Sequence, residues 1–430
     1  MHKLEEFGVT KHIGKLENGV RVVLFKRPRM PISTSISFKA GAQYDPKGKE
    51  GLAHFTEHML FQKTEKFGSN AEVGGYIEKL GGYLNAWTSS DDIRFLLEIP
   101  EPEDYSKVAF FVDQVFGHLM IENNRVENER GVILREYGDK ISNPQNYIYT
   151  LSDLVFFQGS TVGRPVLGDD KTISGIKTSD LEKFYRDRLS LDSMSIVVSG
   201  DLDLDSIIES FNNELSIEKH NFKDKVVPSL DFVERENRTL IKRYEDTDQV
   251  HLTFGFRNNG YFSEDHFILY VLSVICGYGF TSSLFDKLRN KNGLVYSVYV
   301  DYWPGCNGGA WMVVTSTPKG KVQKLLDITS EEFKRVYEGG IKESELKLAK
   351  DKIIKSTRRK MQSSRSWVAF HEFGELFGPG KSLDLDEYLN IIERITLDDL
   401  TRVGKKYFKP GSWYIAMCGD IEKKDFKVNY

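Results

Sequence analysis

The chain is poor in cysteine and proline, and no long apolar run occurs in it. Its three cysteines, Cys276, Cys306 and Cys418, lie far apart and form neither a CxxC knuckle nor a disulfide framework. That usage suits a reducing compartment, and the expected location is the cytoplasm. No stretch of about 18 apolar residues occurs, which argues against a helical membrane span. Met1–Lys15 is charged and lacks the apolar core of a secretory signal. Neither sign of charge dominates: 59 Lys and Arg stand against 63 Asp and Glu, for a formal net charge of −4. A dedicated nucleic-acid binder is therefore not expected. What the chain has in quantity is apolar and aromatic side chain, 40% and 12% of its 430 residues, enough to fill real cores. At this length two or more domains are expected.

The chain contains a faint copy of itself. Ile176–Leu202 slides onto Ile395–Ile421 without a gap. Ile176/Ile395, Asp180/Asp399, Leu181/Leu400, Ser193/Ser412, Ile196/Ile415, Gly200/Gly419 and Asp201/Asp420 are identical. Both copies read as a helix, a short apolar strand and a Gly-Asp turn, so an internal duplication is the better account. The expected division is a first domain over 1–217, a linker over 218–245 and a homologous second domain over 246–430. The charged, weakly periodic stretch around Glu218–Asp248 supplies the boundary.

Within the first half, Asn18-Gly19 turns the chain into the alternating run Val20–Phe25, and Ser33–Ala40 reads as a second strand. Gly51–Lys63 and Glu72–Leu80 have helical periodicity. Tyr83–Thr88 and Ile93–Ile99 alternate as strands around the turn Ser89–Asp92, and three amphipathic helices follow to Phe157. Strands neighbour strands and helices come in groups. The expected class is α+β: two homologous α/β-layered domains, each a mostly antiparallel sheet packed with helices.

The segment GLAHFTEHMLF carries the clearest chemistry. His54 and His58 stand one helical turn apart and leave the same face, and Glu57 reaches into the same space. Two neutral imidazoles on one face are a ready pair of zinc ligands, and a neighbouring carboxylate can take a proton from an attacking water. Two exposed helix histidines would be the plain alternative. Leu52, Ala53, Phe55, Met59, Leu60 and Phe61 speak against it, because a buried, unpartnered imidazole pair is costly.

A catalytic zinc needs a third protein ligand and an open position. In ENERGVILREYGDKI, Glu129 and Glu136 lie two turns apart on one helix face with Val132 and Ile133 between them. Two like charges on such a face are expensive unless a cation waits opposite. A solvated acidic face, with Glu122 and Glu127 nearby, is the other reading of the same residues. At this point both stay open.

HFTEH followed by ERGVILRE resembles the inverzincin metallopeptidases, the family of pitrilysin, the insulin-degrading enzymes and the mitochondrial processing peptidase. The resemblance implies one Zn2+ per chain, with His54, His58 and Glu136 as ligands, Glu57 as general base and Glu129 as a helper behind the ligands. GGYLNAWTS is similar to the family's edge-strand segment, which implies that Asn85, Ala86 and Trp87 hold the substrate backbone as an added strand. From the residues alone, core packing of Trp87 is an equal alternative. LRNKNGLVYS resembles the family's Arg–Tyr signature, so Arg289 and Tyr296 should steady the developing oxyanion. The implied activity is zinc-dependent cleavage of peptides or unfolded, presequence-like segments inside a closed chamber. A non-catalytic peptide-binding or supporting subunit is the rival. Longer members carry four such domains, so this chain resembles half an enclosure. A homodimer with composite active sites is expected, with no nucleic-acid partner.

The second half has no HxxEH of its own. Pairing Phe38 with Phe254 sets Tyr270 opposite His54. Two decoys remain. Gly374–Ser382 lacks the glycine spacing of a phosphate loop, and His371-Glu372, with no second histidine one turn away, reads as ordinary surface.

Overall fold

A computed structural model describes residues 7–217 and 238–428. Two sheets organise it. The first contains β1 (Thr10–Lys15), β2 (Arg21–Lys26), β3 (Ile32–Phe38), β4 (Tyr83–Thr88), β5 (Ile93–Ile99) and β6 (Met194–Gly200), in the order β1-β2-β6-β3-β5-β4. The second contains β7 (Thr239–Arg243), β8 (Val250–Asn258), β9 (Val298–Trp303), β10 (Gly309–Thr317) and β11 (Tyr414–Gly419), in the order β7-β11-β8-β10-β9. One pair in each sheet is parallel, β2 with β6 and β7 with β11, and every other pair is antiparallel. The α+β expectation therefore stands.

Without β1, the two strand orders are the same. The repeat is visible in detail: helix Thr178–Arg188 leads into β6 and helix Leu397–Tyr407 into β11. Both strands end on a glycine, Gly200 at φ 148° and Gly419 at φ 152°. A Cβ at either would sit 2.7 Å from Ile32 Cα or 2.8 Å from Gln249 O, so glycine is required twice for one reason. Sheet register corrects one equivalence. Ile36 pairs with Ile196 and Phe254 pairs with Ile415, so the counterpart of Phe254 is Ile36, not Phe38. A two-residue slip keeps every side chain on its own face, which is why alternation alone could not exclude it. At the same spacing Leu272, not Tyr270, falls opposite His54.

The chain divides into two compact units. Among the described residues, the first is built from 7–137, 164–217 and 357–388, the second from 138–163, 238–356 and 389–428. This departs from the expected boundaries in two places. Helix Pro144–Phe156, from the first half of the sequence, packs on β8 and β11. Helix Ser364–Phe377, from the second half, packs on β3 and β6. Of the expected linker, 218–237 lie outside the described residues and Thr239–Arg243 are β7.

The crossing helix explains the strand sequence ISTSISF. Ile32, Ile36 and Phe38 join the main core of the first unit, while Ser33, Ser35 and Ser37 are equally buried on the opposite face. There Glu372 reaches Ser35, and Arg94 lies between Asp92, at 2.6 Å, and Glu372. His371 stacks on Phe25 at 4.0 Å between ring centroids. His371 and Glu372 are thus interior, not surface, because the face they cover belongs to a strand more than three hundred residues earlier in the chain. Glu375 pairs with Arg21 at 3.0 Å, so the Gly374–Ser382 decoy has a packing role.

Candidate metal centre

The helix Leu52–Leu60 is buried at every residue except His58. Its entry is shaped by two features that spacing did not reveal. Gly51 has φ +95°, and a Cβ there would meet Leu167 O at 2.6 Å. Asp45 accepts from Gly51 N and Ala53 N, each at 2.8 Å, and so satisfies the first amides of the helix. Burial pushes the Asp45 carboxyl up to about 8, against those two bonds and the charge of Arg164.

One turn of this helix sets the imidazoles edge to face, with Nε2 of His54 and Nε2 of His58 3.2 Å apart. Glu136, on helix Asn123–Ser142, brings its Oε2 to 3.8 Å from His54 Nε2 and 3.7 Å from His58 Nε2. A point equidistant from atoms with these separations lies about 2.1 Å from each, the length of a zinc bond to imidazole or carboxylate. The donor set of two nitrogens and one oxygen fits that ion. Among the described residues, this is the one group of three His, Cys, Asp or Glu side chains close enough to hold a metal.

Glu129 stands two turns before Glu136 and faces the same helix. His58 Nδ1 donates to Glu129 Oε1 at 2.7 Å, and Gln62 Nε2 donates to Glu129 Oε2 at 2.8 Å. The first bond fixes the tautomer and turns the Nε2 lone pair toward Glu136. Burial works against a charge on His58, but the Glu129 bond and the charges of Glu129, Glu57 and Glu136 outweigh it and raise its pKa. A cation at Nε2 competes for the same lone pair.

Glu57 is buried on the same helix, and burial raises its pKa against the pull of Thr88 and His58. Its Oε2 accepts from Thr88 Oγ1 at 2.6 Å. Thr88 closes β4, so this bond ties the carboxylate to the strand that carries Asn85, Ala86 and Trp87. No motif or spacing in the sequence gives Thr88 a role; only the third dimension brings position 88 against position 57. β4 is an outer strand of its sheet, with β5 on one side. Trp87 is half-buried, with the Arg94 guanidinium 5.4 Å from its ring centroid, so it is not a core residue.

Arg289 and Tyr296 come together in the second unit. Phe285–Lys291 is a π-helix, and Arg289 on it lies 4.9 Å from the Phe285 ring centroid and 5.0 Å from that of Tyr296. Tyr296 is 82% exposed. The guanidinium is held by aromatic faces and has no ion-paired carboxylate among the described residues.

No described helix is long and apolar enough to cross a membrane. The profile of the insulinase family (peptidase family M16) matches residues 21–170, and that of the peptidase M16 inactive domain matches 175–353. A protein of Rickettsia bellii described as an uncharacterized zinc protease is 25% identical over 408 residues, 92% of this chain and 95% of its own length. The uncharacterized zinc protease YmxG of Bacillus subtilis is 25% identical over 393 residues, 91% of this chain and 94% of its own. A protease from Helicobacter pylori superposes with a TM-score of 0.86 at 19% identity, covering 95% of this chain and 99% of its own. A chain of complex III2 from Candida albicans does so with 0.79 at 16%, covering 96% and 97%. At such identities the structural likeness shows the fold alone. The two profiles lead to one conclusion: this chain belongs to peptidase family M16.

Proposed function

We propose that this chain is a zinc metalloendopeptidase that cleaves peptides or unfolded segments held as an added strand on β4. The observation that carries the reading is one cluster: His54, His58 and Glu136 converge within zinc-bonding distance of a common point, and Glu57 is tied to β4 beside them. His54 Nε2, His58 Nε2 and Glu136 Oε2 would hold one zinc, with Glu129 orienting His58. When bound, zinc supplies Lewis acidity, which polarises a carbonyl and acidifies a water. Glu57 takes the proton from the attacking water and returns it to the leaving amine. Asn85–Trp87 align the peptide backbone by pairing with it. Arg289 and Tyr296 donate to the developing oxyanion.

Resemblance to the family's four-domain members supports a homodimer in which each Arg289–Tyr296 pair serves the partner's zinc site. The cytoplasm is the location that three free cysteines favour. The alternative, a supporting subunit without catalysis, gains from the likeness to a chain of a respiratory complex. A scaffold has no need of a ligand triangle with a base beside it, and that favours the enzyme.

The deciding experiment measures metal and turnover on the purified protein. The expected result is about one zinc per chain and chelator-sensitive cleavage of a quenched-fluorescent peptide library. Zinc retained after His54→Ala with His58→Ala would sink the ligand set, and a zinc-loaded protein inert to every peptide would favour the supporting subunit. Mixing Glu57→Gln with Arg289→Ala protein tests the dimer. Activity should return as subunits exchange, and demonstrated exchange without recovery rules out composite sites.

A further inference from the structure

The π-helix that carries Arg289 is fastened by a charge network of five side chains, all within the second unit. Glu332, on helix Val322–Tyr337, has a fully buried carboxylate. It accepts from Lys287 Nζ at 2.6 Å, from Arg335 at 2.6 and 3.0 Å, and from Ser283 Oγ. Glu345 completes the set by accepting twice from Arg335, at 2.9 and 3.0 Å. Burial drives the Glu332 carboxyl up, yet the bonds from Arg335, Lys287 and Ser283 outweigh it and hold the group below its usual range.

A buried ion network is a poor device for stability, because apolar side chains of the same volume often serve as well or better. What this one supplies is placement. Ser283 and Lys287 stand one turn apart at the start of the π-helix, and both are pinned to the same carboxylate. Asn292 Nδ2 closes the far end on Lys287 O at 2.9 Å. Arg289 lies between these anchors. Single π-turns are frequent at functional sites, and their wider turn re-aims the residues on them. The network also separates two cations on one turn. The Lys287 ammonium is committed inward to Glu332, while the Arg289 guanidinium rests between Phe285 and Tyr296 with no ion-paired carboxylate among the described residues.

We infer that Glu332 is a positioning residue for Arg289, acting through Ser283 and Lys287 to aim the guanidinium at a developing oxyanion. The inference rests on the proposed role of Arg289, and its test separates the two. In the zinc-loaded enzyme, Arg289→Ala should lower kcat by roughly 10²- to 10³-fold, the usual effect of losing one oxyanion donor. Glu332→Gln should lower kcat by roughly 10- to 10²-fold with KM nearly unchanged, as expected for an ångström-scale misplacement. The double variant should be no slower than Arg289→Ala alone, because a positioning residue has nothing left to position.

A second readout needs no substrate. The Arg289 Nε–H resonance, identified by its loss in Arg289→Lys, should be ring-shifted by Phe285 and Tyr296 and should move toward that of a free arginine in Glu332→Gln. If Glu332→Gln does not fold, Lys287→Met carries the same cycle and the same resonance, since it leaves Glu332 paired with Arg335. Slow Arg289→Ala with losses that multiply in the double variant, or an unmoved resonance, overturns the positioning of Arg289. Wild-type kcat in Arg289→Ala overturns the role of Arg289 itself.

Discussion

The two edge strands β4 and β9 occupy the same place in duplicated sheets and do different work with it. Sheet register makes Thr88 the counterpart of Tyr302 and Trp87 the counterpart of Asp301. In the first unit the hydroxyl of Thr88 reaches the carboxylate of Glu57. In the second the hydroxyl of Tyr302 reaches the imidazole of His266 at 2.8 Å. Burial depresses His266 to about 4, so this histidine is neutral and serves packing. The same strand position thus supports the proposed base in one unit and an interior contact in the other. Strand order survives duplication because it buries the core, and the polar side chains laid over it are free to diverge.

The largest effect that sharpens this contrast is the loss of Glu57. Glu57→Gln should keep its zinc and lose roughly 10²- to 10⁴-fold in kcat, measured on the peptide that the wild type cleaves best. The corresponding change at the other edge, Tyr302→Phe, should leave kcat unaltered. Equal losses from both would break the comparison.

The next effect concerns Arg94, whose counterpart across the duplication is Met312. Copying that residue as Arg94→Met leaves Asp92 and Glu372 buried without their cation. Stability should fall by about 3–5 kcal/mol in urea unfolding. Adding Glu372→Gln should recover part of it. A neutral Arg94→Met would mean that the crossing helix is not held by charge.

The smallest effect is the share of the pH dependence that His371 adds in the first unit, beside that of the buried His266 in the second. Burial, with Lys11 nearby, holds His371 well below its ordinary pKa. The folded form therefore keeps this imidazole neutral while the unfolded chain protonates it near pH 6.5. Its contribution is fully present above that pH and is lost on acidification, by at most about 1.4 kcal/mol per pH unit. His371→Leu should flatten the slope of unfolding free energy between pH 6.5 and 5. An unchanged slope would assign the acid sensitivity elsewhere.

Much of the site was legible because it is local. HFTEH lies on one helix and the two glutamates on another, so spacing alone told which faces they share. The alternation of Tyr83–Thr88 showed a strand, and the repeat around Gly200 and Gly419 showed the duplication. What escaped depends on distant pairing. Asp45 caps the metal-site helix from a loop with no helical signature, and Thr88 meets Glu57 only after β4 is laid beside the helix. The serines of β3 alternate as if facing water, and nothing near them announces that residues 364–377 will cover them. β1 was missed within a charged opening segment, where its pattern of exposed and half-buried residues gave little periodicity to read. The π-helix was missed for a physical reason as well: its wider turn breaks the 3.6-residue rhythm on which helix reading depends.

The exchanged helices set a timetable for synthesis. As the chain leaves the ribosome, β1 to β6 can pair and the metal-site helix can dock once residue 200 has emerged. The serine face of β3 then waits until residues 364–377 arrive, and the buried Arg94 waits with it. During that interval the nascent first unit exposes an incomplete surface and depends on nearly the whole remaining chain to close it. A fragment cut at the repeat boundary would therefore hold every proposed zinc ligand and still lack the helix that completes its sheet.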